Sequence, residues 1–275
     1  MEGRGNVRSG AGMSPRSGAP DDPPWRSMDM RSGPIIPDPS NGLMALALFL
    51  LVLPFALGLG DIVLGTAHSG PLLALYAPYS ILVVVAFLGG AVLDYERTSD
   101  PGDAAVTAVM VAFISASRIP FAALPGVQPC TVLIFIYGRV FGPKRGILVG
   151  AMVALVSNIF LGHGPWTLWQ MGAWGMVGGV GGLLGQPPAV WTPGARWRNA
   201  ILVFILGIAY GLTVNISTAL FLDSYLLAVL SSLPFDIMHA VGNVLFFLAL
   251  GEFFSRELGN IRERRTYTWE CAGRG

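Results

Sequence analysis

The sequence predicts an all-α integral membrane protein of eight spans with both termini in the cytoplasm. Three observations carry that prediction. Of the 275 residues, 53% are hydrophobic and only 12% charged, with a mean hydropathy of +0.61. The apolar residues fall in blocks of membrane-spanning length, and the basic residues crowd into alternate connections between them. This composition excludes a soluble enzyme. The 36 glycines and 20 prolines follow no G-X-Y period, so they do not indicate collagen. The formal charge of +1 gives no reason to expect a nucleic-acid partner, and Cys130 and Cys271 are too few for a disulfide framework or a cysteine metal cluster.

Residues 1–41 mix Gly, Pro, Ser, Arg and Asp without periodicity, the composition of a disordered tail. No short apolar core follows the start, so an uncleaved chain is expected rather than a secretory signal. The apolar blocks are 42–60, 72–93, 104–122, 128–142, 146–162, 166–185, 199–221 and 233–254. Most match the roughly 17–25 residues that a spanning helix needs. Pro54 and Pro78 are candidate kinks in the first two, and the block at 128–142 is short.

Orientation follows from the basic residues. With the N-terminus inside, the cytoplasmic segments hold Arg4 to Arg31, then Arg97, then Arg139, Lys144 and Arg145, then Arg196 and Arg198, and finally the basic tail 256–275. Of the 17 basic residues, Arg118 alone falls outside. Dropping one span would destroy this asymmetry, which supports the even count.

Function in such a chain is sought among the polar residues tolerated near the spans. Arg118 and Gln128 flank one external loop. Asn158, His163, Trp166, Trp169 and Gln170 surround the next, and Asn215 lies toward the outer end of the seventh span. Asp236, His239 and Asn243 fall at i, i+3 and i+7, one face of the eighth span. Each has an ordinary structural explanation when taken singly. Asp236 would cap a helix beginning after Pro234, the tryptophans would form an interfacial belt, and the other polar groups would bond neighbouring helices. Their convergence on one side of the membrane favours a small-molecule pocket open to the outside.

Ala104, Ala108, Ala112 and Ala116 repeat every four residues on the third span, a smooth strip suited to close packing by another helix of this chain or of a partner. Gly175, Gly178, Gly179, Gly181 and Gly182 permit close approach around the sixth span. The chain lacks a phosphate loop, an H-E-x-x-H motif and a G-x-S-x-G motif. No catalytic residue, resident metal or cofactor is expected.

Several of these segments together resemble a known family. They are Arg118-Ile-Pro-Phe-Ala122, Gly138-Arg-Val-Phe-Gly-Pro-Lys-Arg-Gly146, Ser157-Asn158, Gly164-Pro-Trp-Thr-Leu-Trp-Gln-Met171, the glycine-rich run after Trp174, and Pro234-Phe-Asp-Ile-Met-His-Ala-Val-Gly-Asn243. In this order they resemble the substrate-specific (S) components of energy-coupling factor (ECF) vitamin transporters, over about residues 104–255. The resemblance implies a six-helix S-component bundle, here preceded by two additional helices at 42–93. It implies a ligand held at the extracellular side by the loops 118–128, 162–166 and 222–233 with the later helices. It also implies that the alanine strip docks a transmembrane coupling subunit, and that two separate ATPase subunits supply the energy. The expected function is capture of a vitamin or related micronutrient at a bacterial or archaeal cell membrane. Two other classes compete with it: a ligand-sensing membrane module, and a membrane-embedded enzyme using His163, His239 and Asp236.

Overall fold

The computed structural model describes residues 101–187, 191–222 and 224–272, with isolated helical positions between Ile81 and Glu96. The tail 1–41, the span expected at 42–60 and most of that at 72–93 lie outside the described residues, as does Asp223. Among the described residues from 101 onward the regular structure is all helical. The helices are α1 (Pro101–Ser117), α2 (Cys130–Phe141), α3 (Pro143–Leu161), α4 (Trp166–Leu183), α5 (Pro193–Leu222) and α6 (Tyr225–Ala272), with a 3-10 turn at Ile119–Phe121 after α1.

The chain is a helical membrane protein. Among the described residues four segments are long and apolar enough to cross a bilayer: Gly102–Phe121, Pro143–Leu161, Pro193–Leu222 and Tyr225–Arg264. The block expected to span at 128–142 becomes a helix of 12 residues, about 18 Å long, well short of the ~30 Å hydrocarbon core. All twelve of its residues are buried. It is a central helix rather than a lipid-facing one, which explains an apolar run with no polar face. Helix α4 has 18 residues.

Chain breaks set the helix ends. Gly142 alone separates α2 from α3, with φ of 94°, a left-handed conformation that glycine adopts without steric penalty. Pro143 then opens α3 at a position where its missing N–H forfeits nothing. Three expected boundaries are corrected. Helix α5 starts at Pro193 rather than 199. Helix α6 starts at Tyr225 rather than 233, so most of the loop expected at 222–233 is helical and Pro234 lies inside the helix. A proline in a membrane helix removes only one ladder bond, and its neighbours continue the turn. The tail expected at 256–275 continues α6 as far as Ala272.

Helices α3 and α4 pack closely, as do α5 and α6, while α2 fills the space between α3, α4 and α6. The glycines explain the first contact. A Cβ on Gly178 would stand 2.1 Å from the Gly146 carbonyl oxygen, and one on Gly138 would stand 2.0 Å from that of Gly178. Backbones of α2, α3 and α4 therefore meet directly, a geometry that any side chain would block. Elsewhere the core is aromatic and aliphatic. Phe247 of α6 meets Phe135 at 6.4 Å and Trp191 at 5.5 Å between ring centroids. Tyr137 shares a hydrogen bond of 3.0 Å with Thr107 of α1.

Connectivity gives the bundle two unlike ends. At one, Arg145 pairs with Asp103, and Arg139, Arg196, Arg198 and Arg262 gather around the α2–α3 corner and the start of α5. At the other lie Arg118, the 119–129 segment, the α3–α4 connection and the α5–α6 turn.

Candidate functional site

The non-basic end is built around Arg118. Its side chain is only 6% exposed, so its charge must be met inside the protein. Nε donates to Gln128 Oε1 at 2.8 Å. Nη1 donates to Ser157 Oγ and, at 3.2 Å, to Asn158 Oδ1. The guanidinium lies 4.6 Å from the Trp174 ring centroid, within cation–π range. Every one of these partners is neutral. Among the described residues no carboxylate pairs directly with Arg118.

Asn158 extends the network into α4, donating from Nδ2 to Gln170 Oε1 at 2.7 Å and to Thr167 Oγ1 at 3.0 Å. His163, exposed on the connection, lies 3.4 Å from Thr167 Oγ1 through Nδ1. Trp174 is buried under the guanidinium and stacks on Tyr210 at 4.9 Å, and Tyr210 lies 4.9 Å from the His239 ring. Arg118, Trp174, Tyr210 and His239 thus form one column contributed by the residue after α1 and by α4, α5 and α6.

The hydrogen bonds of His239 fix its proton. Nδ1 lies 2.6 Å from the Gly126 carbonyl oxygen, which can only accept, so Nδ1 carries the hydrogen. Nε2 is 3.1 Å from Thr131 Oγ1, and Thr131 Oγ1 in turn accepts from Trp174 Nε1 at 3.0 Å. Trp174 donates to Thr131, Thr131 shares a hydrogen bond with Nε2 of His239, and His239 donates from Nδ1 to Gly126, so one chain of bonds links α4, α2 and α6 to the 119–129 segment.

A second patch adjoins this column. Asp236 Oδ2 accepts from Asn215 Nδ2 at 3.0 Å and from Ser232 Oγ at 2.7 Å. Its carboxylate sits against Gly211, where a Cβ would approach within 2.3 Å. Asp236 therefore does not cap a helix; it lies three turns into α6 and is held by side chains. Asn243, fully buried, has no hydrogen-bond partner for either amide atom among the described residues.

The expected residues do not all meet. Arg118, Gln128, Asn158, Gln170 and His239 share one network, with His163 at its edge. Asn215 and Asp236 form the adjoining patch. Trp169 instead packs in a small apolar cluster with Ile216, Ala219, Tyr225 and Ala228. Trp166 is 41% exposed at the outer surface. The network also recruits Thr131, Tyr210, Ser157, Thr167 and Trp174, none of which was among the candidate ligand contacts. A lone hydroxyl in the otherwise apolar run 130–136 was the available signal for Thr131. The alanines 104, 108, 112 and 116 are all exposed on α1, and none packs inside the bundle.

The chain is similar to a UPF0397 protein of Aliivibrio fischeri strain MJ11, 26% identical over 163 residues that cover 56% of this chain and 85% of the relative. A UPF0397 protein of Aliivibrio salmonicida strain LFI1238 is 25% identical over 159 residues with the same coverage. One of Vibrio atlanticus strain LGP32 is 35% identical over 65 residues, 35% of its length. The relationship is one of distant homology, and none of these names states an activity. No family model matches the chain, and no solved structure matches it significantly.

Proposed function

We propose that this chain is the membrane-embedded substrate-binding subunit of an ECF-type transporter, which captures a vitamin-like micronutrient outside and delivers it inward with ATP hydrolysed by partner subunits. The chain itself is not an enzyme in this reading. The observation that carries it is the Arg118 network, which draws polar and aromatic side chains from five helices to the end of the bundle that the basic residues avoid. Residues 101–272 then form the six-helix S-component core. The helices expected at 42–60 and 72–93 then complete an eight-helix chain with both termini cytoplasmic, in a bacterial or archaeal cell membrane.

The chemistry of the site supports a particular kind of ligand. A buried guanidinium without a carboxylate partner favours an anionic group, and the stacked column of Trp174, Tyr210 and His239 favours a flat ring. Ligand entry would replace the bonds of Arg118 to Gln128 and Asn158 with bonds to the ligand, so capture and rearrangement of the 118–129 segment would be coupled. The exposed alanine strip on α1 offers a smooth helix face to a coupling subunit.

Purification of the full chain with mass spectrometry of copurifying small molecules tests the binding role. Uptake of the identified compound into cells expressing the chain with a coupling subunit and its two ATPases tests the transport role. A retained vitamin-like compound whose uptake requires ATPase activity is the expected result. Turnover of that compound by the isolated chain would overturn the reading in favour of an enzyme.

A further inference from the structure

We propose that the cavity beside Arg139, at the basic end of the bundle, binds the headgroup phosphate of an anionic phospholipid. The cavity has a volume of about 330 Å³ and lies between α2 and α5, lined by Arg139, Arg198, Asn199, Leu184, Ile201 and Ile205 among others. Arg139 is 6% exposed, and its partners are all neutral. Nε donates to the Gly185 carbonyl at 3.0 Å, Nη1 to Asn199 Oδ1 at 2.8 Å and Nη2 to the Gln186 carbonyl at 3.4 Å. Its guanidinium also lies 5.2 Å from the Trp191 ring centroid.

Those bonds use three of the five N–H donors that a guanidinium carries. Among the described residues no carboxylate pairs with Arg139 or with Arg198, so two cations share one cavity without a counter-charge. A buried cation in this state is stabilised by an anion that accepts its remaining hydrogen bonds.

The rest of the lining selects the kind of anion. Ile201 and Ile205 are 59% and 55% exposed and stand at i and i+4, one stripe on the outer face of α5. Leu184 is 48% exposed at the same mouth. A phosphate at the arginines with acyl chain along the Ile201–Ile205 stripe satisfies both halves of the cavity. Free phosphate would leave the apolar stripe uncovered, and a zwitterionic lipid would bring its own cation to a site that already holds two. Basic pockets between membrane helices at the cytoplasmic side are suited to such headgroups.

Native mass spectrometry of the detergent-solubilised full chain, titrated with dioleoyl-phosphatidylglycerol, dioleoyl-phosphatidylcholine or inorganic phosphate, tests the site. The expected result is retained phosphatidylglycerol at concentrations where the other two are not retained. Arg139 braces Gly185 and Asn199, so its removal risks misfolding. Arg198→Glu is the informative variant, because Arg198 is exposed and makes no such brace. It should weaken phosphatidylglycerol binding roughly five-fold or more without lowering the unfolding temperature. Arg256→Glu, an exposed charge on α6 outside the cavity, should leave binding unchanged. Equal retention of both lipids, equal loss in both variants, or retention of inorganic phosphate in place of lipid would overturn the proposal.

Discussion

The guanidinium of Arg118 lies 4.6 Å from the ring centroid of Trp174, and the same indole donates from its edge to Thr131 at 3.0 Å. One ring therefore ties the end of α1 to α2, and its other contacts reach Tyr210 on α5. Because Trp174 is 1% exposed, it is both a core residue and the floor beneath the Arg118 guanidinium.

Trp174→Phe should separate those roles. Phenylalanine keeps an aromatic face for Arg118 and Tyr210 but removes the donor to Thr131, a loss of about 1 kcal/mol. Trp174→Ala removes the face as well and should destabilise by about 3–5 kcal/mol, as large aromatic truncations in cores do. Chemical unfolding in detergent micelles checks the order, and two equal losses would show that the stacking contributes nothing.

The contact of α3 with α4 predicts a second outcome. Gly178→Ala would place a methyl group 2.1 Å from the Gly146 carbonyl oxygen, so the helices must separate. Overpacking of this kind costs about 1–3 kcal/mol or more. Gly194→Ala is the control, since a Cβ there meets nothing within 4 Å. Its unfolding temperature should be unchanged or slightly raised. Comparable melting of both variants would mean that the backbone contact is looser than the geometry implies.

Composition and block length made the helices of residues 101–272 legible, because lipid enforces apolar runs whatever the tertiary packing. Boundaries were less legible where turn signals mislead. Pro234 reads as a helix start in sequence, yet α6 runs through it, and the serines before it are as compatible with a helix as with a loop. The apolar run at 128–142 does not reveal that it is buried by neighbouring helices rather than by lipid, because both environments select the same residues. In the candidate site, Asp236, His239 and Asn243 share a helix face as their spacing requires. That face, however, meets three different surroundings: Asn215 and Ser232, then Tyr210 and Thr131, then the backbone near Gly207. Spacing on one helix cannot show which partners the other helices bring. Tyr210 was illegible for that reason, and Thr131 offered only its lone hydroxyl in an apolar run.

The exposed strip on α1 predicts a variant defective in coupling alone. Ala108→Leu or Ala112→Leu adds bulk on an exposed surface of α1, so folding and ligand retention should match the parent. If a coupling subunit docks there, copurification of that subunit and ATP-dependent uptake should fall at least ten-fold, roughly the 1.4 kcal/mol that a misfitted helix contact readily exceeds. Parent-like uptake in both variants would remove the strip from the docking surface.

Asn243 allows the two demands on this protein to be measured against each other. Its amide is fully buried on α6, one turn beyond His239, with neither nitrogen nor oxygen bonded among the described residues. Its Nδ2 stands 2.7 Å from where a Cβ on Gly207 would lie, so α5 leaves it room but offers it no acceptor. A buried amide without partners destabilises by about 1–3 kcal/mol for each unsatisfied group. Asn243→Leu, apolar and with the same number of side-chain heavy atoms branched at Cγ, should therefore raise the stability of the ligand-free protein by about that amount, read as a shift in the denaturant midpoint. A residue that destabilises the free protein is retained to advantage where a ligand supplies the missing bonds. The same variant should then lose most of its retained small molecule and bind added ligand at least ten-fold more weakly, a difference of about 1.4 kcal/mol. Calorimetry with the copurified compound measures that loss. Higher stability with unchanged affinity would exclude Asn243 from the ligand site and confine binding to the Arg118 network and the Asp236 patch.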